Sequence, residues 1–203
     1  MLDILQTISD TIFPPHPSIA LLRHTTAEDL IKHFSPQLVA GTFTLSSYHS
    51  PLIHAAINAN KFHNHHKATR LLASLFDYWL DTLPPQPTHI IPIPLGPTRL
   101  RTRGYNQVER IIRASRHNRS LNTSLLIRPH DTAPQTSLTR EERFTNTQDA
   151  FSLEHTDLSS LINCRLVICD DVITTGATLR AATNALTPHL PESCTLITVA
   201  LAH

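Results

Sequence analysis

The sequence predicts an α/β protein: a parallel twisted sheet flanked by helices, with a mostly helical N-terminal hood. Three observations carry that expectation. After residue 87, strand-like and helix-like segments alternate, the pattern that builds a parallel sheet with right-handed crossovers. Residues 166–169 (Leu-Val-Ile-Cys) form an unbroken apolar run, as a strand buried on both faces requires. Before residue 84, most apolar residues recur instead at helical spacing.

Taken in order, residues 1–12 read as a short amphipathic helix with Leu2, Leu5, Ile8 and Ile12 on one side. Phe13-Pro14-Pro15 ends it. Residues 26–34 read as a second helix, capped by Thr25 or Thr26. Residues 41–48 alternate like a strand through Phe43 and Leu45. Residues 51–60 and 67–83 read as helices, the first carrying Leu52, Ile53, Ala56 and Ile57. The second carries Leu71, Leu72, Leu75, Phe76, Trp79 and Leu80. Pro84-Pro85-Gln86-Pro87 is a stiff linker, which divides a helical hood (1–83) from an α/β domain (84–203).

Beyond the linker, residues 89–94 form a strand whose prolines point to an end or edge position. Leu95-Gly96-Pro97 turns the chain, and residues 99–107 lead into a helix reaching about residue 118. Residues 125–128 make a short strand. Residues 129–150 hold little apolar besides Leu138 and Phe144, as a lid or linker does. The strand at 166–170, a helix after Gly176 and a last strand at 194–200 complete the domain. Ligands of such a sheet bind beyond the carboxyl ends of its strands.

The chemistry concentrates at that edge. Asp170-Asp171 closes the apolar run, and Thr174-Thr175-Gly176-Ala177-Thr178 follows at the start of a helix. Converging backbone N–H groups, threonine hydroxyls and a close-approaching glycine make an anion site. The two carboxylates can accept from sugar hydroxyls or hold Mg²⁺ through water. Six fixed residues at this spacing arise by chance on the order of 10⁻⁸ per position. The competing reading, an ordinary turn whose Asp and Thr merely cap a helix, does not require that density.

Composition narrows the classes. The net charge of +1 gives no bulk pull toward nucleic acid or membrane, and no apolar run reaches spanning length. The N-terminal stretch carries Asp3 and Asp10 and no basic cluster, unlike a signal peptide. Cys164, Cys169 and Cys194 form no Cys-x-x-Cys, so they read as reduced thiols of a cytoplasmic protein. Only four glycines occur, and three of them (Gly96, Gly104 and Gly176) fall in the ligand-binding segments. His63, His65 and His66 cluster without a completing carboxylate or cysteine, and read as a solvated helix start.

The apolar run, the acid pair and the Thr-Thr-Gly-x-Thr turn together resemble the phosphoribosyl pyrophosphate (PRPP) signature of type I phosphoribosyltransferases. A closer resemblance is to the competence protein F (ComF) family. It rests on Ile91-Pro92-Ile93-Pro94-Leu95, on Arg103-Gly104-Tyr105-Asn106-Gln107, on Gln135, Leu138, Arg143 and Asn146, on Ala150-Phe151, and on the signature itself. Lys61-Phe62 matches the helical region ahead of the linker. The likeness spans roughly residues 43–202. It implies the type I phosphoribosyltransferase fold and a link to uptake of transforming DNA. Such proteins commonly open with a zinc ribbon of paired Cys-x-x-Cys, but no cysteine precedes Cys164. No zinc ligands are therefore assigned.

The resemblance implies a reaction in which a nucleophilic nitrogen displaces pyrophosphate from ribose C1. It places PRPP on Leu95, Gly96, Asp170, Asp171, Thr174, Thr175, Gly176, Ala177 and Thr178. Asp170 and Asp171 would hold the ribose hydroxyls and Mg²⁺, the latter indirectly. Arg103, and Arg143 arriving on the lid, are the catalytic arginines; Arg99, Arg101 and Arg140 are further cations for the pyrophosphate. Expected partners are PRPP and a small-molecule acceptor, with a homodimer left open. Two rival readings are a non-catalytic PRPP sensor and a single-stranded-DNA or competence-machinery accessory. The second would use Arg110, Arg113 and Arg116 at i+3 spacing, although a solvated helix face has the same pattern.

Overall fold

The computed structural model describes residues 16–131, 150–154 and 158–203. Helices α1 (Pro17–Leu22) and α2 (Ala27–Ile31) lead into strands β1 (Gln37–Val39) and β2 (Thr42–Ser46). Helices α3 (Pro51–His63) and α4 (His66–Leu80) follow, then β3 (Thr88–Pro92), α5 (Pro97–Arg103) and α6 (Gln107–Ala114). Short strands β4 (Leu126–Ile127) and β5 (Ser152–Leu153), then β6 (Arg165–Val172), α7 (Ala177–Leu186) and β7 (Thr195–Ala202), complete the described chain.

The main sheet has the order β1-β2-β7-β6-β3. Only β1–β2 is antiparallel; β2–β7, β7–β6 and β6–β3 are parallel. The α/β expectation therefore holds. Strand β6 lies inside the sheet and is apolar on both faces; β3, ending at Pro92, lies at the edge. An edge strand tolerates proline because its missing N–H interrupts no second ladder.

Side chains alternate across the sheet, and the core divides accordingly. Ile90, Val167, Cys169, Val199 and Leu201 face α3, α4 and α6. Ile91, Leu166, Ile168 and Ala200 face α7 and the β4–β5 ladder. Each fully buried aliphatic side chain contributes about 1.5–3 kcal/mol. The first cluster runs from Leu22 through Phe76 to Leu201, so one core is continuous across residues 84–87. Strand β2, from ahead of that linker, pairs directly with β7.

Several local expectations change. The helix expected to reach about residue 118 is α6, which ends at Ala114, and the stretch leading into it forms a separate helix, α5. Gly104 adopts φ +79° and ends α5, and Asn106 caps α6 by accepting from Val108 N and Glu109 N at 2.9 and 3.2 Å. The strand at 125–128 pairs antiparallel with β5 in a separate two-stranded ladder. Thr26, not Thr25, caps α2, in a reciprocal capping box with Asp29. His65 caps α4 by accepting from Ala68 N at 3.2 Å, consistent with a helix start. The helix expected at 1–12 and residues 132–149 of the expected lid lie outside the described residues.

Candidate active site

Strand β6 delivers Asp170 and Asp171 to the carboxyl edge of the sheet, and alternation sends them to opposite faces. Asp170 joins Val172, Ile173 and residues 174–179 around a small pocket of about 40 Å³. Thr174 and Thr175 are exposed on it, and Thr178 is half-buried. Gly176 caps α7 at φ +71°, a left-handed conformation that side chains resist. A Cβ there would also meet Arg180 Nη1 at 3.2 Å, and Ala40 Cβ and Ile173 Cδ1 at 3.3 Å. Gly176→Ala is accordingly expected to lower stability by about 1–2 kcal/mol, read by denaturant unfolding.

Asp171 is 6% exposed and turned toward the hood. Its Oδ2 accepts from Gln107 Nε2 at 3.0 Å and pairs with Lys61 Nζ at 3.2 Å. Its Oδ1 accepts from Val172 N at 2.8 Å. Gln107 Oε1 in turn accepts from Arg103. The rest of this segment fixes the arrangement. The Tyr105 hydroxyl reaches the carbonyls of Asn60 and Lys61 at 2.9 and 3.2 Å. Asn106 Nδ2 donates to Ile93 O at 2.8 Å, and Asn60 Nδ2 donates to Gln107 O at 3.1 Å. Residues 103–107 thus tie the end of α3 to β3 and to the second carboxylate.

Asp170 is in a different state. Burial, with the neighbouring charge of Asp171, pushes its carboxyl up to about 7; the N–H of Asp171, donating to Oδ1 at 2.8 Å, offsets this only in part. The folded protein therefore holds a proton there that the unfolded chain, near 3.8, releases. Stability of the ligand-free protein should fall as pH rises between these values, and the loss is complete above about 7. Unfolding at pH 5 and pH 8 measures it; subtracting the Asp170→Asn profile isolates it from the histidines.

Leu95 is half-buried and Gly96 is buried at the start of α5. The Asp131 carboxylate occupies this turn, accepting from Thr98 N at 3.0 and 3.2 Å. Hydrogen bonding by Thr98, aided by Arg128 and Arg101, holds its carboxyl below the usual range. Arg128, over the Phe151 ring at 5.4 Å, is half-buried and within electrostatic range of Asp170, Asp131 and Arg99. Arg140 and Arg143 lie outside the described residues. The stripe of arginines on and beyond α6 is engaged. Arg113 pairs with Glu109, Arg116 pairs with Asp77 and Asp81, and Arg110 stacks on Tyr105 at 4.7 Å.

Among the described residues, no group of three or more His, Cys, Asp or Glu could hold a metal ion. Both Asp171 oxygens are taken by internal donors, while Asp170 lines the pocket. Of the two carboxylates expected to serve magnesium indirectly, only Asp170 lines the pocket, and its oxygen chemistry fits that hard cation. No described helix is long and apolar enough to cross a membrane.

The sequence alone points to no role for Lys61, Gln107, Asp131 or Arg128. Lys61 and Gln107 stand inside the quoted motifs, so a signal for them existed; isolated Asp131 and Arg128 carried none. No curated protein matches the chain. The family model for the phosphoribosyl transferase domain matches residues 58–203, from within α3 through β7 and across both carboxylates and the turn. With that span matched and a mostly parallel sheet carrying the acid pair and glycine turn at its carboxyl edge, the chain belongs to the phosphoribosyl transferase domain family.

Proposed function

We propose that the protein binds PRPP with Mg²⁺ and transfers its phosphoribosyl group to a nitrogen acceptor, releasing pyrophosphate. The observation that carries this reading is the split of the acid pair. Asp170 lines the pocket of residues 172–179, while Asp171 is clamped from the other face by Lys61 and Gln107. The turn of Thr174, Thr175, Gly176, Ala177 and Thr178 cradles the 5′-phosphate through backbone N–H groups and hydroxyls. Asp170, ionised, accepts from the ribose hydroxyls and favours the cationic sugar. Asp171 is a positioning residue that fixes this geometry.

The nitrogen lone pair forms the new bond to C1. The C1–O bond breaks, its electron pair leaves with pyrophosphate, and the nitrogen gives up its proton to solvent. Magnesium, when bound, supplies charge neutralisation for the leaving group. Arg99, Arg101 and Arg103 of α5, and Arg143, supply the remaining positive charge. We place the protein in a ComF-type role linked to DNA uptake, acting in the cytoplasm. Support comes from the packing that residues 103–107 provide and from the free thiols of Cys164, Cys169 and Cys194. The carboxylate partners of Arg113 and Arg116 weigh against a DNA-binding stripe.

Incubation with PRPP, Mg²⁺ and a panel of bases and amines tests the reading. Acceptor-dependent release of pyrophosphate is expected. PRPP binding without release under every acceptor would replace transfer by sensing.

A further inference from the structure

The peptide between Thr175 and Gly176 is held from outside the pocket that these residues line. Arg180, one turn into α7, reaches back so that its Nη1 donates to Thr175 O at 2.7 Å. Among the described residues, Thr175 O is the only acceptor of the Arg180 side chain. Arg180 is exposed and lines a separate cavity of about 350 Å³ beside the turn that joins β1 to β2. It does not line the pocket of residues 172–179. Its Nη1 and Ala40 Cβ close over Gly176, at 3.2 and 3.3 Å from where a Cβ would stand.

In this trans peptide the C=O and the N–H point to opposite sides. Fixing Thr175 O toward Arg180 therefore turns the Gly176 N–H the other way, to the side of the pocket. Gly176 is buried, and no described group accepts from its N–H. A buried donor without an acceptor costs free energy that an incoming anion recovers. The bond that sets the orientation is charge-assisted, roughly twice as strong as a neutral one. Arg180 is not needed to hold the helix, because Leu179, Ala181, Ala182 and Leu186 are the buried side chains of α7.

We propose that Arg180 is the positioning residue of the phosphate turn. By holding Thr175 O, it presents the Gly176 N–H to the oxygens of the 5′-phosphate. Arg180 itself touches no ligand and acts through the peptide. The inference rests on the PRPP reading for the identity of the phosphate, though not on transfer.

Met and Lys are helix formers close to Arg, so Arg180→Met and Arg180→Lys keep the fold. Calorimetric titration of the full chain with ribose 5-phosphate, and with PRPP and Mg²⁺, reads the effect. Arg180→Met should weaken both sugar phosphates about tenfold. Arg180→Lys, which keeps a charged donor, should lose less. A second readout reports the peptide itself. Thr175-Gly176 is the only Thr-Gly pair in the sequence. Protein labelled with ¹³C-carbonyl threonine and ¹⁵N-glycine therefore gives one carbonyl–amide correlation, that of Gly176. Saturating ribose 5-phosphate should shift this signal in the wild-type protein and shift it much less in Arg180→Met. Unchanged affinity in Arg180→Met, equal losses in the two variants, or a Gly176 signal unmoved by bound ribose 5-phosphate would each overturn the proposal. A wild-type protein that binds ribose 5-phosphate but not PRPP would sink the transfer reading alone, and one that binds neither would sink both.

Discussion

Asp170→Asn is expected to lower phosphoribosyl transfer by roughly 10²–10³-fold, the scale on which one preorganised electrostatic contact acts. The variant loses the only carboxylate, among the described residues, that lines the pocket of residues 172–179. It should nonetheless be more stable than the parent at pH 8. Asparagine resembles the protonated form that the fold favours, and burial of the charged form is what raises the carboxyl to about 7. Activity and stability thus move in opposite directions at one residue, as at other strained sites. The measurements are initial rates of pyrophosphate release and denaturant midpoints at pH 8. Equal losses of both would mean that Asp170 merely packs.

Lys61→Met is expected to cost about 1–3 kcal/mol of stability. It leaves the buried Asp171 carboxylate with Gln107 and a backbone N–H but no counter-charge. The lower part of the usual range applies because the Lys61 side chain keeps 28% exposure. Adding Asp171→Asn should recover much of the loss, since no unpaired charge then remains. A double-mutant cycle reads the coupling; additive losses would show that the two side chains act independently.

The central strand, the acid pair and the glycine turn were legible because each obeys a local rule. An unbroken apolar run signals burial on both faces, and a glycine in a hydroxyl-rich turn signals close backbone approach to a ligand. The proline-marked edge of β3 was legible for the same reason. What could not be read depends on chain-distant contacts. Nothing local states that β2 pairs with β7 across the intervening residues 47–194. The ladder of β4 and β5 joins two-residue strands that no periodicity can mark. The division of labour between Asp170 and Asp171 follows from strand alternation, but only the positions of Lys61 and Gln107 reveal which carboxylate is clamped. Helix α5 went unread because it buries no residue, so no apolar spacing marks it in the sequence.

Isothermal titration of the full chain with PRPP in the presence of magnesium tests the sugar-phosphate site most directly. One site per chain is predicted, with affinity at least tenfold weaker in Asp170→Asn and in Gly176→Ala. Absence of heat in the wild-type protein, or an affinity indifferent to both substitutions, would contradict the account.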